Sequence, residues 1–202
     1  MKRFATFLIL AVIASVTSTL LAANRNDAIK ILDKAAAKIN ISRGVRMSFS
    51  VSGAKFSQKG TLTVKGQKFH ATTANAKIWY DGQTQWTYNM ASDEVNIAAP
   101  SASVQQQMNP YHFLNLYKQN GYTKSAVASK KGYDIHLVGK GKSISEMYIS
   151  VDKYYNLKQV KFKQGANWTT IVVSNIRTAS VPDSYFRFNS KDYPKAEVID
   201  LR

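Results

Sequence analysis

The chain has 202 residues, no cysteine, and 28 Lys and Arg residues against 12 Asp and Glu, which gives a formal net charge of +16. The lack of cysteine excludes a disulfide framework, a cysteine nucleophile and a lipid-modified cysteine at a signal cleavage site. The length is that of a single domain. The charge either serves solubility alone or favours an anionic partner, such as a membrane surface or a lipid headgroup. Nucleic acid is not expected as a partner, because the lysines are scattered and form no tract.

Residues 1–22 have the features of a secretory signal peptide. Lys2 and Arg3 precede an apolar run over residues 4–16, and small residues follow up to Ala23. The run is shorter than the ~20 residues that span a bilayer, so we expect cleavage and not membrane anchoring. Cleavage removes the two charges of Lys2 and Arg3 and leaves +14 of the +16. We therefore predict an exported, soluble, monomeric domain over residues 23–202.

One amphipathic helix is predicted at the start of this domain, in NRNDAIKILDKAAAKI from residue 24. Its apolar residues recur at intervals of three, four and three, which is the spacing of one helix face. An asparagine cap and Asp27 in the first turn favour the same start. The residues on this face are Ile29, Leu32, Ala36 and Ile39.

After the helix the apolar pattern changes to a period of two, which predicts short strands. Met47 and Phe49 lie in the first alternating stretch, and further strands follow at 60–64, 68–71 and 94–97. A hairpin is predicted in IWYDGQTQWTYNM, residues 78–90, because Asp-Gly is a strong turn signal between alternating apolar residues. Alternation leaves this hairpin apolar on both sides. We expect the face that carries Trp86 and Tyr88 to be the inner one.

A second, short helix is bracketed by Asn109-Pro110 and Gly121 and carries Phe113 and Leu114. Strands then resume, with alternating apolar residues at 133–137, 147–151, 160–162 and 171–173. We predict a mainly β (α+β) fold with about eleven strands in one long antiparallel meander. Such a sheet has to curl, and the helices are available to cover its concave face.

The residues that carry chemistry elsewhere do not form a catalytic or metal-binding pattern here. The three histidines fall on separate elements without a second ligand at the usual spacing. No Gly-x-Ser-x-Gly motif is present, and GKGKS at 139–143 is interpreted as a hairpin turn. We therefore predict no metal, no cofactor and no catalytic residue.

The apolar side chains of the strands and helices have two interpretations. They pack as ordinary core, or they line an elongated ligand cavity inside the curled sheet. Aromatic and Met side chains suit the second interpretation, because they can repack around flexible chains. The candidate lipid-binding residues are Met47, Phe49, Leu62, Phe69, Trp86, Tyr88, Met108, Phe113, Leu114, Ile135, Leu137, Met147, Ile149 and Phe162.

The stretch GTLTVKGQKFH at 60–70, followed by DGQTQWTYN at 81–89, resembles the LolA family of periplasmic lipoprotein carriers. The tail FRFNSKDYPKAEVIDL also resembles the family's C-terminal Phe-x-Phe and short strand. The order of elements agrees over nearly the whole domain. The matching residues are Gly60, Leu62, Val64, Lys65 and Phe69 in the first motif and Asp81, Gly82, Trp86 and Tyr88 in the second.

The resemblance implies an unclosed half-barrel that takes the acyl chains of lipoproteins from the inner membrane and carries them to the outer membrane. It implies a periplasmic protein that is not an enzyme. The implied partners are acylated lipoproteins, an inner-membrane lipoprotein-releasing transporter and an outer-membrane acceptor. An alternative is a module of the same fold that binds an anionic glycolipid, a polysaccharide or a signalling partner.

One departure from the family concerns the covering lid. Where the family has Arg-Pro after the lysine, this chain has Gly66-Gln67. In the family this arginine holds the lid closed, and neither Gly66 nor Gln67 can donate the five hydrogen bonds of a guanidinium. We expect this contact to be missing, and a Gly66→Arg change to restore it if the two positions correspond.

Overall fold

The computed structural model describes residues 22–23, 25–38, 42–100, 113, 116, 118 and 121–202. The predicted signal peptide up to residue 21 lies outside the described residues, as do Met108, Leu114 and most of the predicted second helix. Within the described part, no helix is long and apolar enough to cross a membrane.

The described chain contains one α-helix, α1 (Arg25–Ala37), and thirteen strands that form a single sheet. Two short 3-10 helices, Asp183–Phe186 and Ser190–Asp192, precede the last strand. The strands are β1 (Ala22–Ala23), β2 (Val45–Gly53), β3 (Ser57–Lys65), β4 (Lys68–Thr73), β5 (Ala76–Tyr80), β6 (Gln85–Asn89), β7 (Glu94–Ala98), β8 (Tyr122–Ser129), β9 (Gly132–Gly139), β10 (Ile144–Asp152), β11 (Leu157–Gln164), β12 (Asn167–Thr178) and β13 (Glu197–Asp200).

The sheet is unclosed and has the order β1-β8-β9-β10-β11-β12-β2-β3-β4-β5-β6-β7-β13. Neighbouring strands are antiparallel except for the parallel pair of β7 and β13. The mainly β fold predicted from the alternation and the unclosed sheet implied by the family resemblance are confirmed. The single meander is wrong, because two meanders are joined where β12 pairs with β2, for example at Ile171 and Val51. This pairing joins residues that are far apart in sequence, so the periodicity could not indicate it.

The apolar pattern also did not predict β8, whose sequence YTKSAVAS lacks a clear alternation. Only Tyr122 and Ala126 of this strand are buried. It is paired with β9 along its whole length, from Tyr122 with Gly139 to Ser129 with Gly132. We infer that β8 is held in the sheet mainly by its pairing with β9, and that its own apolar pattern contributes little to its stability.

The helix α1 packs against β8 and completes the core on one side of the sheet. The predicted helix is confirmed, but its buried face is centred on Ala28, Leu32 and Ala35, while Ile29 is only partly buried. Phe113 and Leu116 are buried in the same core cluster. We call the side of the sheet that carries this cluster the inner face and the opposite side the outer face.

Candidate functional site

An apolar cavity of about 230 Å³ lies on the inner face, where the two meanders meet. Strands β2, β3, β4, β5 and β12 supply its walls. Side chains that are paired across neighbouring strands share a face, which is why the alternating residues of these strands converge on one space. We call this space the inner cavity. Its lining residues are Phe49, Val51, Phe56, Gln58, Leu62, Phe69, Ala71, Thr73, Ile78 and Ile171.

The inner cavity opens to solvent beside the turn between β2 and β3. Phe56 lies in this turn and is 50% exposed although it lines the cavity. Gly60 allows the Phe49 ring to lie close to β3. A Cβ at this glycine would stand 3.0 Å from the Phe49 ring and would overlap the carbonyl oxygen of Thr72. The cavity wall therefore depends on a glycine that the family motif also contains.

Three of the predicted lipid-binding residues, Phe49, Leu62 and Phe69, line the inner cavity. A larger group lies beside it and fills the inner face as packed core. In this group the rings of Phe113 and Phe162 stack with their centroids 4.8 Å apart. Its members are Met47, Phe113, Ile135, Leu137, Met147, Ile149 and Phe162.

Trp86 and Tyr88 lie on the outer face, so the expectation that their face is the inner one is wrong. The register pairs Trp86 with Trp79, and both project away from the core cluster. Ile78 and Tyr80 occupy the inner face of the same hairpin. Tyr88 donates a hydrogen bond to Asp93 at 2.9 Å. The hairpin is apolar on both sides as predicted, but a period of two does not indicate which side is inward.

Several cavity residues were missing from the sequence prediction. Val51 and Ile171 belong to alternating stretches that were identified, but the alternation did not single them out as candidates for the cavity. Ala71 and Ile78 pair with each other across β4 and β5, and their signal was the same alternation. Phe56 lies in a turn, and no pattern in the sequence indicates that its ring folds back over Gly53.

The outer face of β3 to β5 is covered by the segment that precedes β13. Lys65 donates to the Val181 carbonyl and to Asp183, both at 3.0 Å, and Lys68 pairs with Asp183 at 2.6 Å. Hydrogen bonds from Lys68 and Lys65 lower the pKa of Asp183 to about 2. Lys65, which matches the family motif, therefore anchors the C-terminal segment to the sheet.

Gly66 lies in the turn between β3 and β4 with φ of +59°. A Cβ at this position would have no neighbour within 4 Å. A larger side chain would therefore meet no clash at its Cβ, although the positive φ disfavours it. The predicted second helix, which would form the lid, lies mostly outside the described residues, so the expectation that Gly66→Arg restores a closing contact stays a prediction.

The fold and the site together define a mainly β protein with one unclosed sheet and an apolar cavity on its inner face. The chain belongs to the family of the outer membrane lipoprotein carrier protein LolA, whose sequence model matches residues 17–166. No curated protein matches the chain.

Solved structures are similar to the chain at low sequence identity. An uncharacterized conserved protein from Thermus thermophilus shares the fold and is 13% identical, with a TM-score of 0.57 over 86% of this chain and 99% of that one. A LolA superfamily protein from Nitrosomonas europaea is 11% identical, with a TM-score of 0.42 over 80% of this chain and 97% of that one. A putative outer membrane lipoprotein-sorting protein domain from Vibrio parahaemolyticus is 10% identical, with a TM-score of 0.43 over 85% and 98%.

Proposed function

We propose that the protein is a periplasmic, non-enzymatic carrier that binds the acyl chains of lipoproteins in the inner cavity and takes them from the inner to the outer membrane. The observation that carries this proposal is the apolar cavity on the inner face of an unclosed sheet, in a chain of the LolA family. Its proposed partners are acylated lipoproteins, an inner-membrane transporter that releases them, and an outer-membrane acceptor. Residues 1–22 act as the cleaved signal peptide of a monomeric domain over residues 23–202.

The energetic argument for such a cavity is the cost of exposing an acyl chain to water. Each CH₂ group that leaves water contributes about 0.8 kcal/mol, so a long chain needs an apolar container to cross an aqueous space. Eight of the ten residues that line the inner cavity are apolar. Gln58 and Thr73 are the polar exceptions, and Gln58 is exposed.

The size of the inner cavity limits what it holds in this conformation. Its 230 Å³ is below the range of about 300–1,000 Å³ that is usual for small-molecule sites. We propose that a longer chain enters by displacing packed core beside the cavity. Met47 and Met147 are suited to this, because both are fully buried and an unbranched Met side chain repacks readily. The buried face of α1 and the Phe113 region cover the enlarged site.

A matched pair of surface substitutions tests the inner cavity. Phe56→Asp places a charge at the mouth of the cavity, and Val172→Asp places the same charge on the outer face, where Val172 is 43% exposed. Displacement of a fluorescent hydrophobic dye by palmitate measures acyl binding. We expect Phe56→Asp to weaken palmitate binding about tenfold or more, which is about 1.4 kcal/mol, and Val172→Asp to leave it unchanged.

Equal palmitate binding by the parent and by folded Phe56→Asp would contradict the cavity as the acyl site. High salt should barely weaken palmitate binding, because burial of apolar surface is not screened by ions.

The carrier role is tested with a purified lipoprotein in acylated and unacylated forms. In gel filtration, only the acylated form should co-elute with the mature protein as a soluble complex. Co-elution of both forms would contradict acyl recognition.

A further inference from the structure

A second and larger cavity, of about 640 Å³, lies on the outer face of the sheet. Its floor is formed by β4 and β5, and its wall is formed by the C-terminal segment at residues 182–193. We call it the outer pocket. It shares no lining residue with the inner cavity, because the two lie on opposite faces of the same strands. Residues that decide its chemistry are His70, Thr72, Lys77, Trp79, Phe188 and Tyr193.

The outer pocket has rigid aromatic walls. The His70 ring stacks on the Trp79 ring with the ring centroids 5.1 Å apart, and Trp79 is only 7% exposed. Phe188 and Tyr193 approach Trp79 edge-on, at 5.6 and 5.7 Å between ring centroids. Because these rings hold each other in place, a ligand would meet a preformed apolar surface and would not have to order it.

The positive charge of Lys77 in the outer pocket is not balanced by a paired carboxylate. The Lys77 ammonium donates to the Tyr193 hydroxyl at 2.9 Å and lies over the Tyr193 ring. Ion pairs within the described part of the chain do not include Lys77. Arg187 also lines the pocket but is paired with Asp81, and Asp192 is the carboxylate in the lining.

A second cation, Arg46, contacts the pocket residue Tyr185 from outside the lining and adds to the positive potential of the outer pocket. Arg46 donates to the hydroxyl oxygens of Thr63 and Tyr185, which are neutral partners. Burial lowers the pKa of His70 to about 4, and the charges of Lys77 and Arg46 act in the same direction. His70 is therefore neutral at pH 7 and adds no charge of its own to the pocket.

Polar groups with unused hydrogen-bonding capacity complete the lining. The buried Nε2 atom of His70 has no hydrogen-bond partner among the described residues. Native proteins rarely leave such an atom unpaired, so a polar group of a ligand is a candidate partner for it. Thr72 and Ser184 add hydroxyl groups to the same lining.

We propose that the outer pocket binds a sugar phosphate. The apolar C–H face of a sugar ring packs against the aromatic walls, since aromatic faces carry partial negative charge. Its hydroxyl groups meet His70 and Thr72, and its phosphate lies beside Lys77, because a lysine ammonium is a common partner of phosphate. The volume of the outer pocket lies within the usual range for small ligands. This function goes beyond acyl carriage and uses the opposite face of the sheet.

Calorimetric titration with glucose 6-phosphate as the probe tests the proposal on the mature protein. We expect saturable binding that is at least tenfold tighter than binding of either glucose or inorganic phosphate. Lys77→Gln should weaken it at least tenfold. Lys161→Gln is the matched control, because Lys161 also lies on the outer face and over an aromatic ring, 4.7 Å from the centroid of Trp168, but outside the pocket.

Absence of binding at millimolar glucose 6-phosphate would overturn the proposal. Equal binding of inorganic phosphate would overturn it as well, since it would indicate a charge effect without sugar recognition. If Lys77→Gln fails to fold, Thr72→Val, which keeps the side-chain shape, should still weaken binding, and unchanged affinity in Thr72→Val would contradict the assigned pose. Palmitate binding should be unaffected by these variants, so failure here is distinguishable from failure of the carrier function.

The sugar phosphate has two possible sources, and a further titration separates them. Vesicles that contain phosphatidylinositol present a sugar ring joined to phosphate on a lipid. Sedimentation of the protein with these vesicles, reversed by glucose 6-phosphate, would assign the pocket to a lipid headgroup. Binding of glucose 6-phosphate without sedimentation would assign it to a free sugar phosphate.

Discussion

Mild acid should destabilise the protein through His70. This residue lies on the outer face of β4, where Trp79 stacks on its ring. The Tyr185 ring meets it in a T-shaped arrangement, with the ring centroids 4.9 Å apart. Burial is the larger cause of its lowered pKa, and the positive charges of Lys77 and Arg46 add to it. Together they move the pKa of His70 from 6.5 to about 4. The imidazole is therefore neutral in the folded protein at pH 7.

The sign of the effect follows from proton uptake. Between pH 6.5 and pH 4 the unfolded chain holds a proton on His70 and the folded chain does not, so the free energy of unfolding falls as the pH falls. At full strength this shift would remove about 2 kcal/mol between pH 7 and pH 5. The ring keeps some contact with water, which screens the charges, so we expect about 1 kcal/mol.

Urea unfolding at pH 7 and pH 5 measures this loss. His70→Gln should show a smaller loss than the parent, by about 1 kcal/mol, because glutamine has no proton to gain in this range. His136→Gln is the control. It removes a histidine that lies 2.9 Å from Glu146 elsewhere on the outer face but leaves His70 in place, so it should keep the loss due to His70. Equal losses in the parent and in His70→Gln would refute the reasoning.

Three further predictions concern the inner face and the C-terminal segment. Phe69→Ala should lower the free energy of unfolding, measured in urea, by about 3–5 kcal/mol, because Phe69 is 1% exposed and packs on Tyr80. Phe56→Ala at the exposed mouth of the inner cavity should lower it much less. Similar losses in the two variants would contradict the assigned core. Gly66→Arg should cost about 1–2 kcal/mol because of the positive φ, and it should reduce hydrophobic dye binding if the arginine reaches a lid; unchanged dye binding in the folded variant would contradict the expected closing contact. Asp183→Asn should speed hydrogen exchange of the amides at 183–187, because it removes the partner of Lys65 and Lys68, and unchanged exchange would show that other contacts hold the segment.

The period of the apolar residues determined the local structure of most of this protein. A spacing of three and four residues predicted α1, and a period of two predicted most of the strands of the unclosed sheet. Both predictions were successful because each element has one face that must be buried, and the period of that face is set by backbone geometry. The same alternation identified Phe49, Leu62 and Phe69, which share one face and line the inner cavity.

Only the tertiary structure decided which face is inward and how the apolar residues divide between cavity and core. Trp86 and Phe69 are equally strong apolar signals, but Trp86 lies on the outer face. On that face Phe188 and Tyr193 of the C-terminal segment pack against Trp79 and Tyr88. Met147 and Phe162 share the inner face with Phe49 but belong to the packed core, where Phe113 stacks on Phe162. Alternation reports which residues share a face. What covers that face depends on pairings such as β12 with β2, which join residues distant in sequence and leave no periodic signal in either strand.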